Sequence, residues 1–246
     1  MTVYTGIADE NGDFTIPFSQ DYKGGQKVIV TAEKSGASKS IELYAPSESQ
    51  GGSAGLLTIS GNTSNFPNNI GIITLSGING AIASNAFYQT NADLFFAKAT
   101  GLVIGDGVTE IKGQAFYGWS SAKSLVLPST LTKIENHAFY MWNNLESLKI
   151  PEGVTSIGRG AFLAASGVSK LKTIELPTTL LTVDEEGLRN AVICEQLVCH
   201  AISPPSLLSY TSLLGLASTC VIKVPAGSVS AYKSAWSAYA SQIQAI

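Results

Sequence analysis

The two histidines, His137 and His200, are the residues best suited to move protons near neutral pH. A general base needs a nucleophile or carboxylate held beside it. The spacing places neither next to these rings, so no catalytic residue is assigned and no enzyme is expected. Asp9, Asn11 and Asp13 alternate as the early ligands of a calcium loop do. Gly12 falls at the wrong step and Gln20 stands where a closing glutamate is needed, so a hairpin turn is expected there. Asp184-Glu185-Glu186 reads as a solvated turn. Cys194, Cys199 and Cys220 are an odd set that cannot all pair within one chain. They are expected as buried thiols acting as small hydrophobes, with a Cys199–Cys220 bridge left open. His200 beside Cys199 does not complete a zinc tetrad. Gly105-Asp106-Gly107 is expected as a turn. No G-x-S-x-G, P-loop, H-E-x-x-H or dinucleotide fingerprint is present. Asn62-Thr63-Ser64 fits a glycosylation sequon. No metal site and no cofactor are expected.

The elements that carry these residues belong to a chain of 246 residues with 13% charged and 45% hydrophobic side chains. That length allows one large domain or two small ones, with enough apolar mass for a sizeable core. A net charge of −3 argues against nucleic acid, whose phosphates call for a surplus of Lys and Arg. It also argues against a basic helix lying on a membrane. No apolar run reaches the roughly 18 residues that span a bilayer, so no membrane insertion is expected. The opening Met1–Phe14 has no basic segment followed by an apolar stretch, and no signal peptide is expected in it.

The dominant signal is an internal repeat. Ala115-Phe116, Ala138-Phe139 and Ala161-Phe162 recur at steps of 23 residues, with an earlier copy at Ala86-Phe87 and a degenerate one at Gly187-Leu188. Leu102-Val-Ile104, Leu125-Val-Leu127, Leu148-Lys-Ile150 and Ile174-Glu-Leu176 form one column. Val108-Thr-Glu-Ile111, Leu131-Thr-Lys-Ile134, Val154-Thr-Ser-Ile157 and Leu180-Leu-Thr-Val183 form another. Alternation in the first column predicts a short strand, the second column is expected as another short extended piece pointing inward twice, and the Pro or Gly after the first column ends its strand. The Ala-Phe pair is expected on a short helix. The apolar groups of one unit do not offset the cost of ordering it, so neighbours must stack and share an interior. The insertions within Asn91–Ala99 and Leu163–Ser169 are expected to bulge as loops.

These columns resemble the BspA-like leucine-rich repeat family, over about Leu57 to Ile246. The resemblance implies an α+β repeat, a leucine-rich repeat solenoid of short strands and short helices. It also implies a non-catalytic recognition or adhesion module outside the cell or on its surface, with a host protein or cell-surface receptor as partner. The alternative is a bacteriophage or prophage virion component, a tail or fibre that recognises a host receptor. The lack of a signal peptide favours that alternative.

The tail from Val224 looks like the family's terminal segment. Val229, Tyr232, Trp236, Tyr239 and Ile243 fall on one helical stripe after Ser228, a good N-cap. A capping helix is expected over about 228–243, covering the last coil's core. Residues 1–46 lack the repeat. Strands are expected at Asp13–Phe18, Lys27–Ala32 and Lys39–Tyr44, with turns at Asn11-Gly12 and Lys23-Gly-Gly25. The stretch resembles part of a bacterial immunoglobulin-like β module. Half a sandwich leaves an open edge, so self-association or docking through it is expected. Residues 47–55 are a flexible linker by composition, leaving 56–246 as the repeat domain.

Two surfaces are candidates for binding. Tyr88, Tyr117 and Tyr140 follow the repeat Phe, and Trp119 and Trp142 lie three residues beyond it. Tyr117, Trp119, Tyr140 and Trp142 are either partly buried, with the indole edge showing, or a strip that grips a partner. The middle residues of the first column, Val103, Val126, Lys149, Glu175, Val198 and Lys223, are expected to line one outward sheet face.

Overall fold

The computed structural model describes residues 71–89, 96–164 and 169–246 in full, together with the backbone of five earlier strands. Each coil contributes two short strands and one turn, and each of these stacks on its copy in the next coil. In the first ladder Ile72–Ser76, Gly101–Ile104 and Ser124–Val126 run parallel, with Ile73 opposite Leu102 and Leu102 opposite Leu125. It resumes through Ser147–Lys149, Thr173–Leu176, Gln196–Cys199, Val221–Val224 and Ile243–Ala245. Leu148, Ile174, Leu197, Ile222 and Ile243 are in register there. Between the two parts the Glu146 N–H donates to the Lys123 carbonyl at 3.1 Å, so the coils stay joined.

The second ladder is Gly80–Ile82, Val108–Ile111, Lys133–Ile134, Ser156–Ile157, Thr182–Val183 and Ser206–Leu207. Ile82, Ile111, Ile134, Ile157, Val183 and Leu207 line up along it. Side chains tie the loops between the two ladders. Asp106 accepts from both the N–H and the hydroxyl of Ser129, each at 2.8 Å. Glu152 does the same for Thr178, at 3.1 and 2.7 Å. The carboxylate of Gly105-Asp106-Gly107 therefore holds the next coil.

The Ala-Phe pairs are not helical, contrary to the expectation. They sit in tight turns whose amides reach the adjacent coil: Phe116 donates to Ala138 O and Phe139 to Ala161 O, both at 2.8 Å. Left-handed residues bracket each pair, with Gln114 at φ 60°, Gly118 at 84°, His137 at 57° and Met141 at 65°. Positive φ breaks a right-handed helix and aims the peptide groups along the stack. The strain in the non-glycine cases is offset because buried N–H and C=O groups find partners in the next coil.

The interior is shared by successive coils. Phe87, Phe116, Phe139 and Phe162 are all buried and stacked, with centroids 5.1, 5.4 and 5.1 Å apart. The C-terminal segment departs from a single helix over 228–243. An α-helix spans Val229–Ala235, a 3-10 turn spans Ser237–Gln242, and Ile243–Ala245 is a strand pairing with Val221–Val224. The helix ends because Trp236 leaves the helical region at φ −107° and ψ 51°. Ser228 makes no side-chain cap; it closes a 3-10 turn over Ala226–Ser228. Tyr232 and Trp236 are buried nonetheless, and Val229 and Tyr239 pack against the core.

In the N-terminal part, Val3–Tyr4 pairs in parallel with Lys27–Lys34, which pairs antiparallel with Ala37–Tyr44. Phe14–Pro17 pairs antiparallel with Leu56–Ser60, which pairs antiparallel with Ile72–Ser76. Antiparallel pairing thus joins Phe14–Pro17 to Leu56–Ser60. The turns at Asn11-Gly12 and Lys23-Gly-Gly25, the Asp9/Asn11/Asp13 set, Asn62-Thr63-Ser64 and residues 47–55 lie outside the described residues. No helix among the described residues is long and apolar enough to cross a membrane.

Candidate recognition surface

The turn ladder positions the aromatic residues. Trp119 is 0% exposed and Trp142 4% exposed. Their rings stack at 5.7 Å, with Phe96 stacked on Trp119 at 5.0 Å. Each indole also meets the Phe of its own coil edge-on, at 5.4 and 5.3 Å. The Trp119 N–H donates to Phe87 O at 2.8 Å, and the Trp142 N–H donates to Phe116 O at 2.7 Å. Both indoles are therefore interior, and the strip that grips a partner is corrected at these two positions. A tryptophan three residues after the Phe points inward because the turn returns the chain to the core at that step.

Tyr117 and Tyr140 are half-buried and reach the surface. Tyr88, Tyr117 and Tyr140 form a ladder with centroids 4.6 and 4.8 Å apart. Burial, then the neighbouring Tyr140 and Tyr88, push the Tyr117 hydroxyl above its ordinary range. His137 packs edge-on against Tyr140 at 5.6 Å. Burial and then the charge of Arg159 hold the His137 imidazole below its ordinary value.

The outward row lies on the other ladder. Val103 stands opposite Val126, and Lys149, Glu175, Val198 and Lys223 stand in register one coil apart. Val126 is 52% exposed, Lys149 is exposed, and Val103, Glu175, Val198 and Lys223 are half-buried. Lys149 Nζ contacts Glu175 Oε1 at 3.0 Å, and His200 Nε2 lies 3.2 Å from the same oxygen. The Lys149 hydrogen bond holds the Glu175 carboxyl below its ordinary value. Val103, Val126, Lys149 and Glu175 are thus on one row. Tyr117 and Tyr140 belong to a separate ladder.

The sequence reading missed a shallow cleft on the second ladder, lined by Lys133, Glu135, Asn136, Ser156, Gly158, Thr182 and Asp184. Gly158 occupies a column filled by Glu135 and Asp184 in the flanking coils. A Cβ there would come within 2.7 Å of the Glu135 carbonyl carbon. A glycine interrupting a charged column was the available signal. Lys133 joins Glu110 at 3.0 Å and Glu135 at 2.8 Å along its rim. No group of three or more His, Cys, Asp or Glu side chains among the described residues could hold a metal ion.

Cys220 lies beside Cys194, with the sulfurs 3.5 Å apart. The open question of a Cys199–Cys220 bridge is thereby corrected, since Cys199 instead receives the Tyr232 hydroxyl at 3.1 Å. All three thiols are free and buried.

Residues 80–199 match the BspA type leucine rich repeat region in six copies, a narrower span than Leu57 to Ile246. The pneumococcal vaccine antigen PcpA superposes with a TM-score of 0.52 at 16% identity, over 77% of this chain and 44% of that one. The leucine rich repeat protein of T. pallidum gives 0.46 at 19% identity, over 64% and 78%. A leucine rich cell surface protein from Faecalibacterium prausnitzii A2-165 gives 0.41 at 21% identity, over 68% and 52%. The chain spans less than half of the pneumococcal antigen and about half of the F. prausnitzii protein. No curated protein matches it. The match does not extend to residues 1–46, and the immunoglobulin-like expectation draws no support from it. The six matched copies, the parallel ladders and the few helices among the described residues give residues 80–199 a leucine-rich-repeat-like fold.

Proposed function

We propose that the chain is a non-catalytic recognition or adhesion module, displayed at the cell surface, that binds a host protein or cell-surface receptor through one face of its solenoid. The outward row carries this reading. Val103 and Val126 present apolar surface at one end, and Lys149, Glu175 and Lys223 present charge at the other, all set by strand register. A stack of coils supplies an extended surface of this kind, and exposed apolar side chains rimmed by polar ones are how such surfaces hold partners. Tyr117 and Tyr140 add amphipathic contact area on the neighbouring ladder. The virion alternative draws no support from the comparisons. The division at 1–46, 47–55 and 56–246 belongs to the same proposal, with residues 1–46 as a partial bacterial immunoglobulin-like β module that docks on another chain. So does the role of the segment about 228–243 as the cap of the last coil.

The test is binding of the fluorescently labelled chain to cultured epithelial cells, before and after the cells are treated with trypsin. Saturable binding that trypsin abolishes is expected. Val126→Asp, folded by circular dichroism, should weaken it by about tenfold or more, the equivalent of roughly 1.4 kcal/mol. Unchanged binding by folded Val126→Asp and by the Lys149→Glu/Glu175→Lys pair would overturn the assignment of this face.

A further inference from the structure

Cys194 and Cys220 occupy one interior column, just before the first-ladder strand of each coil. Ala122, Leu145 and Leu171 fill the same column in the preceding coils and are all buried. Two consecutive coils therefore replace an apolar filler with a thiol. Gln196 pairs with Val221, so Cys194 and Cys220 precede paired strands by two residues and by one; paired strands lie about 4.8 Å apart, and a disulfide spans roughly 4.4–6.8 Å between Cα atoms. The two sulfurs are already 3.5 Å apart. Cys199 is differently placed, because its sulfur faces the Tyr232 hydroxyl at 3.1 Å.

We propose that Cys194 and Cys220 are a disulfide-forming pair, a covalent tie between the last two coils that closes in the presence of a peroxide. One thiolate attacks an oxygen of hydrogen peroxide, giving a sulfenic acid and hydroxide. The partner thiolate then attacks that sulfur and expels the second hydroxide. Two thiols and one hydrogen peroxide become one disulfide and two waters. Contact with Cys194 pushes the Cys220 thiol down, while the same contact and burial push the Cys194 thiol up. Both sulfurs are buried, so the reaction proceeds as the C-terminal end opens locally. The bridge spans 26 residues of chain. Cross-linking a loop of that size constrains the unfolded chain and should raise the melting temperature by about 5–10 °C.

The test uses the full chain, reduced, desalted, treated with hydrogen peroxide, then denatured in the presence of iodoacetamide. The expected product is lighter by two hydrogens before alkylation and carries one alkylated cysteine where the reduced chain carries three. Its digest should yield a Cys194–Cys220 cross-linked peptide that a reductant removes. Cys199→Ser should form the same bridge, and Cys194→Ser should leave Cys220 unbridged. Three alkylated thiols after peroxide, oxidation to sulfinic acid without a bridge, or a cross-link that includes Cys199 would each overturn the proposal.

Discussion

The central coils and the last coils share one backbone but fill it differently. Between Phe87 and Phe162 the interior is a stack of phenyl rings with an indole ladder beside it. In the last coils the same positions hold Leu188 and Leu213, Ala191 and Leu216, and Cys194 and Cys220, all buried. The turn bonds do not change: Leu188 donates to Ser212 O at 3.0 Å and Asn190 to Leu214 O at 2.8 Å. Nor does the left-handed bracket, which continues at Glu186, Asn190 and Gly215. The coil path is therefore set by the ladders and the positive-φ positions, and the filling is exchangeable. What the filling changes is how firmly each coil holds its neighbour. Each central indole adds ring stacking and a bond to a carbonyl in the preceding coil. The aliphatic coils lack both, and the C-terminal segment supplies the carbonyl bonds from outside the repeat. The Trp236 N–H donates to Pro205 O at 2.9 Å, and the Tyr232 hydroxyl donates to Ala201 O at 2.7 Å.

The largest expected effect follows from that contrast. Trp119→Ala removes a fully buried ring that stacks on both sides and strands the Phe87 carbonyl. It should cost about 3–5 kcal/mol, toward the upper end because the ring pairs are lost as well. Leu216→Ala in the aliphatic coils should cost nearer 2 kcal/mol, since Leu216 sits at the edge of the core. Urea unfolding followed by far-ultraviolet circular dichroism measures both. Equal losses would break the comparison, because the aromatic filling would then hold the coils no better than the aliphatic one.

A smaller effect sharpens it. Trp236→Phe keeps a ring over the last coil but leaves the Pro205 carbonyl without its donor. The loss should be about 1–3 kcal/mol. Because coupling in a stack runs between neighbours, it should concentrate at the C-terminal end. Hydrogen exchange should quicken at the amides of Leu208 and His200 and stay unchanged at Phe116 and Phe139. A uniform change along the stack would mean that the closing segment acts on the whole array at once.

The repeat made much of this legible. The 23-residue step at Phe116, Phe139 and Phe162 placed three rings in one interior before any coordinates. The two columns placed both strand ladders, and the outward row from Val103 to Lys223 followed from alternation in the first. The turn was not legible. Ala-Phe with a tryptophan three residues on looks helical, and nothing in the residue types of Gln114, His137 or Met141 announces a positive φ. These residues adopt it because the neighbouring coil offers carbonyls to alternate amides of the turn, as Asn136, Ala138 and Tyr140 do for Gln114, Phe116 and Gly118. Residues three apart share a face in a helix as they do in this turn, so the step from Phe116 to Trp119 already aimed the indole inward, and Trp119 and Trp142 belong to the core and not to a candidate surface. The cysteine partner was missed for a related reason. Pairing depends on which residue sits one coil away, and the final coil is irregular in length.

The smallest effect lies at the junction of the two regions, where Lys149 of a central coil meets Glu175 of the next at 3.0 Å. Lys149 is well exposed and Glu175 half-buried, so the pair contributes at most about 1 kcal/mol, screened further by salt. Its signature is pH dependence more than size. Lys149 holds the Glu175 carboxyl below its ordinary value of 4.5 in the folded chain. The unfolded chain therefore binds the proton first as pH falls. The stabilisation is fully present above that ordinary value and disappears as pH drops through the lower folded value. Glu175→Gln should match the native chain at low pH and fall slightly behind it at pH 7, in melts at low ionic strength. A deficit that persisted at acid pH would assign the loss to packing of the Glu175 stem, and the junction between the regions would then owe nothing to charge.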